Sequence, residues 1–359
     1  RSDIFFAKYE TNGDYVWAKG IGTSSKEETN DLELDAQGNT YLIGSFVAQT
    51  DFDPSSSTVN LTPTNGDVFM AKYDSSGNYT WAKPIAGNNF ENGFCLALDS
   101  FGKYWAGGYF LETVDFDPSA TTRNLSSPDR RNYNSFYARY TQNTGAYDTA
   151  WTVQDRMGGD DEILDLFHDS KGNLYATGYF EGGVDFDPSS KLAELNSNGG
   201  LDIFVAKYDS LGNYKWAFNI GAESTDIGYE ITIDLKDNLY LSGSFIDTVD
   251  LDPSSATANI ISNGSSDIFL AKYDALGNYK WGYGIGGAST DIGYGITTDS
   301  ANNVWLTGTF RSTVDFNPGS GTNNLTARNN DAFLTKYDQF GNFKNAHFIG
   351  GSSNNYGYA

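Results

Sequence analysis

A short acidic motif recurs five times and contains the residues best suited to bind a metal ion. It reads D-F-D-P in the first three copies, D-L-D-P in the fourth and D-F-N-P in the fifth. On an extended segment, alternate side chains point the same way about 6.6 Å apart. Both carboxylates of one motif could therefore hold Ca²⁺, which prefers about six to eight oxygen ligands. The motif predicts one calcium ion per loop, on Asp51, Asp53, Asp115, Asp117, Asp185, Asp187, Asp250, Asp252 and Asp315.

The same motif also has a purely structural interpretation. Each Asp could cap its own turn, with the following Pro ending the strand. The motif resembles the first half of a D-x-D-x-D-G calcium loop, but it lacks the Gly at the sixth place and a fixed Glu. The fifth copy has Asn317 instead of the second Asp and should bind calcium more weakly. In the calcium interpretation, Phe52 points into the sheet and anchors the loop. A second short apolar run follows each motif, as at Val59–Leu61, which predicts that the loop folds back as a small hairpin.

The charge of the chain limits its partners. It carries 46 acidic and 23 basic residues, for a formal net charge of −23. Such a surface repels phosphate backbones and anionic lipid, which argues against nucleic acid and membrane insertion. Further acids precede the predicted first strands, so we expect one strongly negative loop face that binds protein or glycan. These acids are Glu27, Glu28, Asp31, Asp160, Asp161, Glu162, Glu223, Asp226 and Asp291.

No catalytic constellation is evident in the sequence. His168 and His347 are far apart in sequence, and neither position has a His in the other repeats. The sequence contains no nucleophile elbow, zinc-protease or P-loop motif. Cys95 lies in an apolar run and is predicted to be a buried hydrophobic residue. A tryptophan recurs at a fixed position of one repeat module, which favours packing between repeats over a sugar platform. Its copies are Trp17, Trp81, Trp151, Trp216 and Trp281.

Two interleaved modules determine the fold prediction. The first, as in DIFVAKYDSLGNYKWAFNIG, begins at Asp3, Asp67, Asn134, Asp202, Asp267 and Asp331. The second, as in DSKGNLYATGYF, begins at Asp35, Asp99, Asp169, Asp234 and Asp299. Short aromatic and β-branched runs bounded by Gly, Asn or Asp are typical of strands. The D-x-x-G-N segments between them predict tight turns, with the Asp as cap and the Gly at positive φ.

These modules predict an all-β fold, a β-propeller of four-stranded antiparallel blades. An immunoglobulin-like sandwich would need about 100 residues per unit, more than this repeat contains. The count gives five complete blades plus a partial sixth; six blades is the simplest total, and seven stays open. We expect residues 1–359 to form a single propeller domain and to be a fragment of a longer chain.

The repeated strings also resemble a known family. G-N-x-Y-x-x-G-x-F followed by D-x-F-x-A-K-Y-D-x-x-G-N-x-x-W-A-x-x-I-G-G is similar to the SBBP-type β-propeller repeat of secreted bacterial proteins. The V-D-F-D-P loop resembles copies in large secreted proteins of Bacteroidota-like bacteria. The resemblance implies an extracellular or cell-surface location and further domains in a larger parent chain. It implies little about activity.

Two functions follow as hypotheses. The first is a non-enzymatic module for binding or adhesion, or a structural spacer, stabilised by calcium. The second is a propeller enzyme acting on polysaccharide, a hydrolase or lyase, which requires one blade with its own acids or His near the axis of the propeller. The most divergent blade includes Arg130, Arg131, Arg139 and Asp148. Its differences indicate an insertion and a degenerate turn, so no catalytic residue is assigned.

Overall fold

The computed structural model describes residues 2–127, 132–155 and 158–358. These residues form strands, turns and bends, with no helix among them. In particular, the described part contains no helix long and apolar enough to span a membrane. The chain divides into two compact units. The first contains the described residues up to 155 together with 160–166, and the second contains 158–159 and 167–358.

Strands follow one another in a fixed fourfold order. The first strands are Glu27–Leu34, Asn92–Leu98, Glu162–His168, Ile227–Ile233 and Ile292–Thr298. The second strands are Thr40–Phe46, Lys103–Phe110, Leu174–Phe180, Leu239–Phe245 and Val304–Asp315. The third strands are Ile4–Tyr9, Asp67–Tyr73, Asn134–Thr141, Asp202–Tyr208, Asp267–Tyr273 and Asn324–Tyr337. The fourth strands are Tyr15–Ile21, Tyr79–Gly87, Tyr147–Thr152, Tyr214–Ile220, Tyr279–Ile285 and Phe343–Ile349.

Sheets form between consecutive strands of this order. We number the sheets one to five by their first strands; Ile4–Tyr9 and Tyr15–Ile21 pair as a separate two-stranded sheet. In sheets one, two, four and five the four strands pair antiparallel in chain order. In sheet three the second, third and fourth strands pair within the second unit. Its first strand, Glu162–His168, lies where the chain passes between the units. The predicted four-stranded architecture is confirmed, whereas the blade count and the single-domain assignment stay predictions.

The tight turns form as predicted. In the first of them, Asp35 Oδ1 accepts hydrogen bonds from the backbone N–H groups of Gln37 and Asn39, at 3.0 and 2.9 Å. Gly38 has a φ of 77°, a conformation that costs a residue without a Cβ little. The five other D-x-x-G-N turns also have a glycine at positive φ, and their Asp accepts the same backbone bonds. These carboxylates are turn caps.

The core lies on both faces of the second and third strands. Every residue of Thr40–Phe46 and Asp67–Tyr73 is buried, as expected for a sheet packed between two neighbours. Trp81 packs edge-on against Tyr104 of the next sheet, with ring centroids 6.2 Å apart. Its indole N–H donates to the Gln142 carbonyl of that sheet's turn at 3.2 Å. Trp281 makes the same bond to Gln339, so for both tryptophans the predicted packing between repeats is confirmed.

Candidate functional site

The D-x-D-P segments form small hairpins between the second and third strands. Two-residue strands Thr50–Asp51 and Asn60–Leu61 pair in sheet one, and three-residue strands pair at the same place in sheets two to four. In sheet five the hairpin is continuous with the long strands Val304–Asp315 and Asn324–Tyr337. The fold-back predicted from sequence is confirmed.

The first Asp of each motif closes its hairpin. In the second loop, Asp115 Oδ1 accepts from the N–H groups of Asp117 at 3.1 Å and Arg123 at 2.8 Å. One carboxylate oxygen thereby joins the outgoing strand to the returning one. The bond to the residue eight positions later recurs at 2.8–2.9 Å in the other four loops.

The second Asp caps the tip of the loop. Asp117 Oδ1 accepts from the N–H of Ser119 at 3.0 Å. In the fifth loop Asn317 makes the equivalent bond to the N–H of Gly319, also at 3.0 Å. An amide oxygen serves as well as a carboxylate oxygen, so this bond does not require the negative charge. Turn capping, the structural interpretation of the motif, therefore describes these bonds.

The apolar residue between the two acids anchors the loop. Phe116 is fully buried and packs against Phe110 and Phe136, at centroid distances of 5.8 and 5.1 Å. Its carbonyl accepts a hydrogen bond from the Tyr140 hydroxyl at 2.9 Å. The last tyrosine of each third strand in sheets one to five donates this bond, over a range of 2.8–3.0 Å. Phe52 is buried as predicted.

Eight of the nine predicted calcium ligands stand two to a loop, and Asp315 is the single acid of the fifth motif. No group of three or more acidic, His or Cys side chains placed to hold a metal occurs among residues 2–127, 132–155 and 158–358. Bonds from the described residues to Asp51 and Asp53 all reach the Oδ1 atoms. A calcium ion would have to use the remaining oxygens together with Ser hydroxyl and backbone oxygens. Metal binding is compatible with the turn bonds and stays a prediction.

The acids that precede the first strands do not form the exposed negative surface expected from sequence. Glu27, Asp226 and Asp291 are fully buried, Asp161 is 1% exposed and Glu162 is 8% exposed. Asp291, for example, accepts from the N–H groups of Gly287 at 2.8 Å and Arg311 at 2.9 Å. Asp226 and Asp291 turn inward because each accepts from two backbone N–H groups, one in its own loop and one about 20 residues later in the chain. The four other acids remain at least partly exposed: Glu28, Asp31, Asp160 and Glu223.

A recurrent basic residue was missed by the sequence analysis. Lys272 lies over the Tyr240 ring, 4.6 Å from its centroid, and its Nζ is 3.7 Å from Asp234 Oδ2. It also donates to the Gln339 carbonyl in the next sheet at 3.0 Å. Lys72, Lys207 and Lys336 repeat the aromatic and carboxylate contacts. This contact could have been predicted from the sequence. The Lys of A-K-Y and the Tyr of N-x-Y stand opposite each other when the second and third strands are paired antiparallel.

One acid, Glu33, departs from the pattern of the other sheets. Asp31 and Glu33 lie on the first strand of sheet one, where the other sheets have Ala, Phe or Thr at the position of Glu33. Burial, opposed by backbone hydrogen bonds, raises the pKa of Asp31 to about 6. Burial and the charge of Asp31 raise the pKa of Glu33 to about 7. A carboxyl of this kind can exchange protons near neutral pH.

The other residues considered for catalysis are placed in the scaffold or lie outside the described part. Arg139 stacks on the Trp105 ring and donates to Asp148 at 2.9 Å. Cys95 is buried, as predicted, and burial raises the pKa of its thiol. Arg130 and Arg131 lie outside the described residues.

Comparison with known proteins gives distant relatives. No protein-family profile matches the chain. It is 24% identical over 402 aligned residues to the uncharacterized WD repeat-containing protein L264 of Acanthamoeba polyphaga mimivirus, covering 95% of this chain and 29% of that protein. It is 28% identical over 186 residues to regulatory protein FlaEY of Caulobacter vibrioides, covering 50% of this chain and 18% of that protein. The chain thus spans less than a third of the length of either relative.

Two solved structures match the chain with low TM-scores. A quinohemoprotein alcohol dehydrogenase from Comamonas testosteroni is 10% identical with a TM-score of 0.37, covering 88% of this chain and 72% of that one. YCF48 bound to a D1 peptide is 8% identical with a TM-score of 0.34, covering 87% and 76%. Together with the repeated four-stranded sheets, the WD-repeat relative indicates a β-propeller repeat protein.

Proposed function

We propose that the chain is a non-enzymatic propeller module of a larger extracellular or cell-surface protein. It binds a protein or glycan through the loop hairpins, or it holds other domains of that protein apart. The observation that carries the proposal is the uniform use of the repeated acids. The five first acids of the D-x-D-P motifs and the six Asp of the D-x-x-G-N turns bond the backbone of their own loops.

The loop tips are available for binding. Ser55 to Thr58 in the first hairpin, and the corresponding tip residues of the other hairpins, are largely exposed. Four of the five tips consist of small residues, and the third also contains Lys191 and Leu192. Each tip follows the one or two acids of its motif, in a chain of net charge −23. Rigid scaffolds commonly carry their binding residues on such loops. An acidic surface of this kind favours basic proteins or sugars with amino groups.

Charge substitutions at the tips test the binding proposal. Ser56, Ala120 and Ser255 are exposed, so replacing all three with Arg should leave the hairpins folded. On a panel of immobilised basic, neutral and acidic polysaccharides and basic proteins, the wild type should bind a basic member. The triple variant should bind it at least about tenfold more weakly.

The matched control places Arg at the opposite end of the sheets. Ser76 and Ala301 are exposed at equivalent positions of two tight turns, and Arg at both should leave binding unchanged. Binding to no member of the panel, or equal losses in the loop and turn variants, would show that the hairpin tips are not the binding surface.

The alternative is a hydrolase or lyase acting on polysaccharide, which the Asp31–Glu33 pair favours. Such enzymes use two carboxyl groups, one of them with a raised pKa. Asp31, however, accepts hydrogen bonds from the N–H groups of Leu32 at 2.6 Å and Leu96 at 2.7 Å. The bond from Leu96 joins the first strands of sheets one and two and gives Asp31 a scaffold role. We therefore rank this function second.

We also propose that calcium stabilises the loop hairpins. Because the unfolded chain has no preformed site, bound ions should stabilise the fold by mass action. Excess chelator should lower the melting temperature of the wild type, and added Ca²⁺ should restore it. The double variant Asp115→Asn and Asp117→Asn keeps the acceptors for the turn bonds but loses two charges, so its melting temperature should respond less. No response to chelator in either protein would show that the loops are turns alone.

A further inference from the structure

Two fully buried carboxyl groups face each other between sheets one and two. Asp67 begins the third strand of sheet one, and Glu91 stands directly before the first strand of sheet two. The backbone N–H of Glu91 donates to the Gly66 carbonyl at 2.8 Å, which holds the two residues side by side. Both residues are 0% exposed. This pair lies entirely within the first unit.

Three of the four oxygens in this pair have no hydrogen bond from the part of the chain that the structure describes. The Thr64 N–H donates to Asp67 Oδ2 at 3.2 Å, while Asp67 Oδ1 and both Glu91 oxygens find no hydrogen-bond partner among those residues. The N–H groups of Gly87 and Asn89 face Glu91 without reaching good hydrogen-bond geometry. Unsatisfied buried carboxylates are costly, so this pair requires a further partner.

No positive charge from the described residues supplies that partner. Within residues 2–127, 132–155 and 158–358, no Lys or Arg forms an ion pair with Asp67 or Glu91. The titratable groups that face Glu91 are Asp67 and the Tyr109 hydroxyl. Two like charges in one buried site cannot both persist without a cation. Burial and then the charge of Asp67 raise the pKa of Glu91 to about 9.

The corresponding positions of the other repeats indicate that the missing positive charge is a proton. At the junction after sheet five, Asp331 occupies the place of Asp67 and Asn355 that of Glu91, with the same backbone bond to Asn330 at 2.7 Å. Asn355 Nδ2 donates to Asp331 Oδ1 at 3.1 Å. After sheet two the amide is on the other side, as Asn134. An amide is the neutral, donating counterpart of a protonated carboxyl.

In the second unit, Asp226 and Asp291 occupy the position of Glu91 at two further junctions. Their carboxylates accept hydrogen bonds from backbone N–H groups. Asp226 accepts from the N–H groups of Ala222 and Ile246, and Asp291 from those of Gly287 and Arg311. The extra methylene of Glu91 carries its carboxyl away from these backbone groups and toward Asp67. We propose that Asp67 and Glu91 bind one proton between them, with Glu91 donating to Asp67 Oδ1, and that its loss at alkaline pH destabilises this junction.

Stability as a function of pH tests the shared proton. The raised pKa means that folding takes up a proton, so this contribution is complete below the ordinary pKa of Glu and is lost as pH rises toward 9. Between about pH 5 and 9 the unfolding equilibrium constant of the wild type should rise by up to about tenfold per pH unit relative to Glu91→Gln. The Gln amide reproduces the donor, so this variant should be the more stable protein at pH 9.

Controls separate the proton from a metal ion and from a general effect. Glu27 is also fully buried but accepts from the Thr23 N–H and from the Thr23 and Thr50 hydroxyls. Glu27→Gln should therefore leave the wild-type pH slope in place. Parallel stability curves for wild type and Glu91→Gln would refute the proposal. So would a melting temperature that falls with chelator in the wild type but not in Glu91→Gln, since the pair would then hold a metal.

Infrared difference spectra give a readout that does not depend on the stability of Glu91→Gln. At pH 8 the wild type should show the C=O stretch of a protonated carboxylic acid, which disappears as the pH passes 9. Asp67→Asn mirrors the junction at Asn134 and lets Glu91 ionise, so the band should be absent. A wild type without this band at pH 8 would contradict the shared proton.

Discussion

Replacing Phe116 with Ala should lower the free energy of unfolding by about 3–5 kcal/mol, because it empties a site enclosed by the sheet and its loop hairpin. The side chain is fully buried between Phe110 and Phe136. Its removal would also loosen the backbone whose carbonyl accepts the Tyr140 hydroxyl bond. Urea unfolding followed by tryptophan fluorescence measures the effect.

The fourth hairpin provides the control for this change. Leu251 occupies the equivalent position and is fully buried there. Phe116→Leu should therefore cost less than about 1.5 kcal/mol, as shape changes that keep most of the volume usually do. If Phe116→Ala and Phe116→Leu have the same small effect, the loop is not anchored through this residue.

Replacing Lys272 with Met should lower the free energy of unfolding by about 3 kcal/mol. The Met side chain fills a similar volume but leaves the buried Asp234 carboxylate without its cation, which is strongly destabilising. Burial alone would raise the pKa of Asp234, but hydrogen bonds from Asn238 and Lys236 and the charge of Lys272 hold it below its usual value. The amide bonds from Asn238 remain in the variant, so we expect the lower end of the usual range.

Lys280 is the matched control for the buried lysine. Its Nζ is 2.8 Å from Asp274, but its side chain is 44% exposed. Surface ion pairs contribute little, so Lys280→Met should cost less than about 1 kcal/mol. If both variants lose the same free energy of unfolding, the contacts of Lys272 with Tyr240, Asp234 and Gln339 do not stabilise the fold more than a surface ion pair does.

The strand order and turns could be predicted from sequence because they depend on local signals. A Gly at the fourth place of D-x-x-G-N fixes the turn, and period-two patterns fix the strands. The hairpin at Asp115 was also predictable, since a second apolar run follows the motif. The pairing of Lys272 with Tyr240 could have been derived from the same register, once the two modules are aligned in antiparallel strands.

The roles of the buried acids could not be predicted in this way. Glu27, Asp226 and Asp291 were expected on an exposed surface because of their charge, and Glu91 occupies the equivalent position in sheet two. Whether such a side chain caps backbone groups or meets a second carboxyl depends on the length of the side chain and on the exact position of its neighbours. Only the structure shows that Asp291 ends at two N–H groups whereas Glu91 faces Asp67.

Turnover of the polysaccharide panel by the purified chain tests the central claim most directly. The account predicts that wild-type protein releases no new reducing ends and no unsaturated products from any member, including those that it binds. Glu33→Gln should then be indistinguishable from wild type in the same assay. Release of product by the wild type that is abolished by Glu33→Gln would contradict the account and make Asp31 and Glu33 the catalytic pair.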